Sequence, residues 1–263
     1  SGYRAVFHPV PVTEEGVDLP ALQQILVRHK PKLMYGVPNF QNPAGISYSL
    51  ENRRRLAAIL QETSTIFVED DPYSELRFAG TPKPPLKQLM PDSTVLLGSF
   101  SKIVAPGFRV GWLVAPDRMM EKLVIAKQAA DLHSSSVSQY VIHQYLMDND
   151  IDRHIREIVA VYGRLRQAML DRMQEYFPRN VHTTRPEGGM FLWVSLPEHA
   201  SATALFDLAI RDRVAFVPGD PFYVRHAGPV NTLRLSFSCV SEEMIDVGIR
   251  RLGDCIRKLI GRE

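Results

Sequence analysis

Short runs of consecutive apolar residues alternate with amphipathic stretches through the first half of the chain. Leu33 to Val37 (LMYGV) reads as a buried strand closed by Pro38, since proline has no N–H to give a sheet ladder. From Ser49 to Glu62, Leu50, Leu56, Ile59 and Leu60 share one face of a helix with Ser49 as its N-cap. Thr65 to Glu69, Thr94 to Gly98 and Val110 to Ala115 read as three more strands. Apolar runs unbroken by polar positions predict strands covered on both faces, as in a mostly parallel sheet. The strand–helix–strand rhythm predicts an α/β domain.

After Pro116 the period changes. Asp117 to Ala130, Ser136 to Met147 and Ile151 to about Phe177 carry helical spacing, the last long enough to bridge two domains. Beyond Pro178, strand-like segments at Met190 to Leu196, Val214 to Val217 and Thr232 to Phe237 alternate with helices at Ala202 to Arg211 and Ser241 to Ile260. This half predicts a smaller α+β domain, and the boundary is placed in the long helix, giving domains 1–160 and 161–263.

Composition narrows the classes. With 263 residues and 45% hydrophobic positions the chain can bury a substantial core. Its 31 basic and 29 acidic side chains leave a net charge of +2, so nothing favours nucleic acid through this segment. No apolar window is long enough to span a membrane, and the opening SGYRAVFHPVP lacks the apolar stretch of a signal peptide, so a cytoplasmic protein is expected. Cys239 and Cys255 lack metal-ligand spacing; no metal site is expected, and both read as buried thiols. Trp112 and Trp193, inside strand runs, read as core.

Four motifs carry candidate chemistry. PNFQNPAG (Pro38 to Gly45) follows a strand and, taken alone, reads as a turn. VEDDPYSEL (Val68 to Leu76) ends another strand with acidic residues that could be mere loop solvation. GSFSK (Gly98 to Lys102) is followed seven residues later by Arg109 in PGFRVGW. In LRLSFS, Arg234 interrupts an apolar strand, which is costly unless the charge is paired, by an internal acid or by a bound anion. Three of these motifs lie just past the C-terminal ends of strands, where open α/β sheets bind ligands. A lysine, a carboxylate, a tyrosine, an asparagine and two arginines there match the needs of pyridoxal 5′-phosphate. An amine forms the Schiff base, a carboxylate pairs with the pyridinium nitrogen, donors hold the ring hydroxyl, and cations hold the phosphate.

From about Pro9 onward the chain resembles the class I/II aminotransferases of pyridoxal-phosphate-dependent fold type I. Within them it is most similar to the aminoadipate/kynurenine branch and to the aminotransferase-like domains of MocR-type regulators. EDDPYSELRFAG, GSFSKIVAPGFRVGW, AKQAADLHSSS, PEGGMFLWVSLP, FVPGDPFY and NTLRLSFS carry the likeness, while Ala44 in QNPAG replaces a more usual Thr. The resemblance implies Lys102 as the Schiff-base lysine and Asp70 as the partner of the pyridine nitrogen. It implies Asn42 and Tyr73 as donors to the ring 3′-oxygen, and Ser99 and Arg109 as phosphate ligands, with Ser101 a third. Arg234 would clamp the substrate α-carboxylate, a bidentate pairing lysine cannot reproduce.

The activity implied is transamination from an L-amino acid of aminoadipate, aromatic or branched type to a 2-oxo acid such as 2-oxoglutarate. Lys102 would serve as general base and acid, with ping-pong kinetics. The alternative is the effector-sensing half of a MocR-type transcriptional regulator; a lyase or decarboxylase on the same scaffold is a third. Complete members of the family are longer, and Lys102 comes early. A preceding part is therefore expected, with the phosphate-cradling loop, the ring-stacking aromatic and the segment that closes over the substrate. The resemblance also implies a homodimer.

Overall fold

A computed structural model describes residues 4–224 and 229–261. The chain divides into two compact units. One holds Val10–Asn39 and Ile46–Ile158; the other holds the segment up to Pro9, Phe40–Gly45 and the residues from Val159 on.

The first unit opens with the short antiparallel pair β1 (Val12–Thr13) and β2 (Gly16–Val17), then α1 (Leu19–His29), whose N-cap Asp18 accepts from Ala21 N–H. β3 (Leu33–Gly36), α2 (Leu50–Gln61), β4 (Ile66–Asp70), α3 (Leu86–Leu89), β5 (Thr94–Ser99) and β6 (Gly111–Val114) follow. The sheet order is β3-β4-β5-β6, with β3, β4 and β5 parallel and β6 antiparallel to β5. Ser49 caps α2 through Asn52 N–H, as its position ahead of the apolar periodicity requires. Leu22, Leu26, Leu56, Leu60, Phe67 and Met90 form the core between these helices and one sheet face.

Only that face is covered within the unit. β4 alternates, with Phe67 and Glu69 buried and Ile66, Val68 and Asp70 half-buried. Leu33 and Tyr35 on β3 and all of β6 are exposed. Among the described residues, then, the two edge strands are not covered on both faces as expected. Trp112 is corrected with them: it is 46% exposed, lying flat over Gly98, where a Cβ would stand 2.1 Å from its ring. α4 (Asp117–Asp131), α5 (Ser136–Asp148, capped by Ser135) and α6 (Ile151–Tyr176) complete the count, and the division between units falls inside α6.

The second unit carries an antiparallel sheet, β7 (His182–Thr183), β8 (Phe191–Ser195), β9 (Val217–Pro218) and β10 (Thr232–Ser236), in the order β7-β8-β10-β9. α7 (Ala202–Arg211) and α8 (Glu242–Ile260) supply Leu205, Ala209, Ile249, Leu252 and Ile256 to its core. The strand expected at Val214 to Val217 is displaced to Val217–Pro218. Cys255 is buried, but Cys239 is exposed, correcting the expectation of two buried thiols. Among the described residues no helix is long and apolar enough to cross a membrane, and no His/Cys/Asp/Glu group could hold a metal ion.

The segment Phe40–Gly45 belongs to this second unit, not with the strand it follows. Phe40 is 1% exposed, and Gly189, at φ +77°, would bring a Cβ to 2.7 Å from the Phe40 Cβ. Gly45, at φ +71°, has Phe191 O and Pro186 Cβ each 3.0 Å from where a Cβ would be. Two glycines thus permit the close approach that seats the QNPAG turn, with its cis Asn42–Pro43 bond, on the 186–191 segment.

Candidate active site

In the first unit the strand ends bring six of the expected residues to one edge of the sheet. Strand alternation sorts the three acids of EDD. Glu69 faces the core, where Leu86 N–H and Lys87 N–H donate to its carboxylate at 2.9 and 2.8 Å. Burial nonetheless pushes the Glu69 pKa up, with the two backbone donors opposing it. Asp71 closes the loop, accepting from Asn39 Nδ2 at 3.1 Å and Ser74 N–H at 3.2 Å. Asp70, between them, ends β4 on the opposite face from Glu69. Tyr73, 6% exposed, follows in the same loop.

Ser99 ends β5, the neighbour of β4, and its Oγ accepts from Ser101 N–H at 3.1 Å, so the chain turns at once and carries Ser101 and Lys102 across the strand end. Lys102 is half-buried and makes no ion pair among the described residues. The β5–β6 pairing of Ser99 with Gly111, extended by Phe100 N–H donating to Val110 O, returns the chain to Arg109 beside that turn. Arg109 has φ +56° and is exposed, its Nη1 donating to Pro106 O at 2.9 Å. An amine, a carboxylate, hydroxyls and a guanidinium therefore line the C-terminal ends of two adjacent parallel strands.

The other two expected residues, Asn42 and Arg234, meet in the second unit. Arg234 lies on β10, opposite Trp193 of β8 and Val217 of β9. Its Nη1 donates to Asn42 Oδ1 at 2.6 Å. Its guanidinium carbon stands 4.2 Å from the Phe191 ring centroid and 5.1 Å from that of Phe222. Trp193 meets the Phe222 ring edge-on at 5.8 Å. Charge inside the strand is thus accommodated by two aromatic faces and an amide oxygen. Because Asn42 accepts through Oδ1, its Nδ2 is the group left to donate.

Two participants escaped sequence reasoning. Tyr35 donates its hydroxyl to Asp70 Oδ2 at 2.5 Å from the adjacent strand; within LMYGV it looked like one more apolar position. Arg53, 0% exposed, donates to Tyr48 O, Pro84 O, Pro38 O and Asn39 Oδ1. Through Asn39 it supports Asp71. It lies within the RRR run of α2, where its spacing to Leu56, Ala57 and Leu60 puts it on the buried face.

The sequence profile described as "Aminotransferase class I and II" matches residues 1–252. The chain belongs to the class I and II aminotransferases. It is 42% identical over 258 residues to the 2-aminoadipate transaminase of Thermus thermophilus, covering 97% of this chain and 64% of that protein. It is 40% identical over 262 residues to aromatic-amino-acid aminotransferase 1 of Thermococcus litoralis, covering 97% of this chain and 63% of that one. The α-aminoadipate aminotransferase of Thermus thermophilus, solved with N-(5′-phosphopyridoxyl)-L-leucine, superposes with a TM-score of 0.94 at 41% identity, covering 98% of this chain and 67% of that chain. The chain thus spans about 63–64% of the length of the two relatives. The family's cofactor is pyridoxal 5′-phosphate, and the donor set of this class I and II aminotransferase fits it. A half-buried amine without an ion pair among the described residues, a carboxylate at a strand end and a hydroxyl-and-guanidinium group stand on adjacent strand ends and loops.

Proposed function

We propose that the protein is a pyridoxal-phosphate-dependent aminotransferase that moves the amino group of an aminoadipate-type, aromatic or branched L-amino acid to a 2-oxo acid such as 2-oxoglutarate. The observation that carries this reading is Lys102 in the turn just past the end of β5, beside the β4 end that carries Asp70. When bound, the cofactor supplies an electron sink for the pair released at the substrate α-carbon. Asp70 would hold the proton on the pyridine nitrogen, and Lys102 Nζ would bind the cofactor's carbonyl carbon. With the substrate's amino group taking the place of Nζ at that carbon, the freed Lys102 amine would accept the α-proton, as a general base must from within hydrogen-bond reach. Ser99, Ser101 and Arg109 would hold the phosphate, and Tyr73 and Asn42 the ring oxygen. Arg234, its guanidinium packed near the Phe191 and Phe222 rings, would grip the α-carboxylate in two-point fashion.

The branch is supported by 40–42% identity to a 2-aminoadipate transaminase and an aromatic-amino-acid aminotransferase. These favour an enzyme over the effector-sensing half of a regulator. A homodimer is part of this proposal, as the family resemblance implies. An amino-donor screen of the full-length gene product, with pyridoxal 5′-phosphate and 2-oxoglutarate and glutamate as readout, tests the reading. Glutamate from 2-aminoadipate, an aromatic or a branched amino acid, with ping-pong kinetics and loss in Lys102→Ala, is the expected result. No glutamate from any donor at saturating cofactor overturns it.

A further inference from the structure

Asp70 ends β4, and Tyr35 lies on β3 opposite Val68, two residues earlier in the parallel register. Both side chains leave the sheet on the face that the core does not cover, and the phenol spans the two strands to reach Asp70 Oδ2 at 2.5 Å. A carboxylate at a strand end can rotate about its last side-chain torsion, whose preference is broad. A donor fixed on the neighbouring strand removes that freedom by engaging one oxygen. Among the described residues Asp70 Oδ1 accepts no hydrogen bond, so it is the oxygen left for a further donor. The phenol can only donate here. Its pKa lies well above the ordinary ~10, through partial burial first, then through the bond to Asp70 and the charge of that group. It therefore remains a neutral donor across the working pH range of an enzyme.

We propose that Tyr35 is a positioning residue for the cofactor: by holding Asp70 Oδ2 it aims Oδ1 at the pyridine nitrogen of pyridoxal 5′-phosphate. This rests on the reading of the site as a pyridoxal-phosphate site. Tyr35 touches neither the substrate nor the reacting carbon, so its effect runs through Asp70 alone. Removing the hydroxyl frees the carboxylate to turn away from the ring, weakening cofactor binding and slowing proton removal from a substrate that is itself still gripped normally. A ring packed for stability alone would lose neither property when only its hydroxyl is deleted.

Equilibrium dialysis of pyridoxal 5′-phosphate against the full-length protein tests this with Tyr35→Phe, Asp70→Ala and the double variant. The phenylalanine keeps the ring and removes only the donor. Because the phenol is largely exposed, the effect of a charge-assisted hydrogen bond is discounted to about 3–10-fold weaker cofactor binding in Tyr35→Phe. A fall in kcat of similar size is expected, with KM for the amino donor unchanged. In the Asp70→Ala background, Tyr35→Phe should add nothing, since the group it positions is gone. Wild-type affinity in Tyr35→Phe, or the same weakening with and without Asp70, overturns the positioning role while leaving the pyridoxal-phosphate reading intact. Failure of the wild-type protein to bind pyridoxal 5′-phosphate at all overturns both.

Discussion

Replacing Arg53 by methionine removes a buried guanidinium while keeping most of the side chain's volume. Four acceptors surround it: Tyr48 O at 3.1 Å, Pro84 O and Pro38 O at 2.9 Å each, and Asn39 Oδ1 at 2.6 Å. Pro38 O keeps a second donor, Tyr48 N–H at 2.9 Å, so three acceptors lose the bond that Arg53 gives them. At about 1 kcal/mol or more for each buried group left unsatisfied, the gross loss is about 3–5 kcal/mol. Against this, the guanidinium no longer has to be desolvated, the cost that already pushes the Arg53 pKa below its ordinary value. The net expectation is a destabilisation of about 2–4 kcal/mol, or a fall in Tm of roughly 5–12 °C for a chain of this size. Arg54→Met, one residue on and exposed, is the control and should stay within about 0.5 kcal/mol of the parent. Urea titration of the three proteins, with equal slopes confirming that the native state is otherwise comparable, gives the difference directly. If Arg53→Met unfolds within about 1 kcal/mol of Arg54→Met, the buried donor set is not holding the loops before Asn39 and after Asp70 together.

Arg234→Lys should lower kcat/KM for the amino donor by about 10–100-fold, mainly through KM, because an ammonium cannot grip a carboxylate at two points; steady-state kinetics of both substrates check it. Gly189→Ala should cost about 2–4 kcal/mol in urea denaturation, from its φ of +77° and a Cβ 2.7 Å from that of Phe40; a change below about 1 kcal/mol would mean Phe40 yields freely. At pH 8 a thiol reagent should titrate the exposed Cys239 in the native protein and both cysteines only after unfolding. Cys255 is pushed up to about 11 by burial and then by its bond to Asp212, so its folded pKa exceeds the unfolded one. The stability from keeping that thiol neutral is fully present below about pH 9 and is lost as pH rises towards 11. A urea midpoint that does not fall over that window in the wild type, relative to Cys255→Ala, would refute the coupling.

Much of the framework was legible because strand and helix periods are local. The spacing of Leu56 and Leu60 behind Ser49, and the apolar runs at 33–37, 65–69 and 94–98, correspond to α2, β3, β4 and β5 within a residue or two at each end. What a run of apolar letters cannot carry is what lies over it, and β6 shows the consequence. GWLV is as apolar as a central strand, yet it is an exposed antiparallel edge. The position of Asn42 was hidden for a different reason. Phe40–Gly45 follows β3 directly, and only a buried Phe40 fitting against Gly189, some 150 residues later, shows that the turn packs with the second unit.

Polar residues of the site divide along the same line. The order and spacing of the motifs point to Asp70, Lys102 and Arg234 as candidates, whereas Tyr35 and Arg53 bond to partners distant in sequence. Asp70 is 35 residues from Tyr35, and Pro84 is 31 residues from Arg53. In the EDD triplet, composition offers three equal carboxylates. The pleat of β4 then gives Glu69 to the core, where backbone donors hold it, and Asp70 to the opposite face, while Asp71 turns the loop. A one-residue slip in that strand would put Asp70 in the apolar interior and Glu69 on the uncovered face. The buried bonds from Leu86 and Lys87 to Glu69 therefore do more than satisfy one acid. They fix the register that leaves its neighbour on the face the core does not cover.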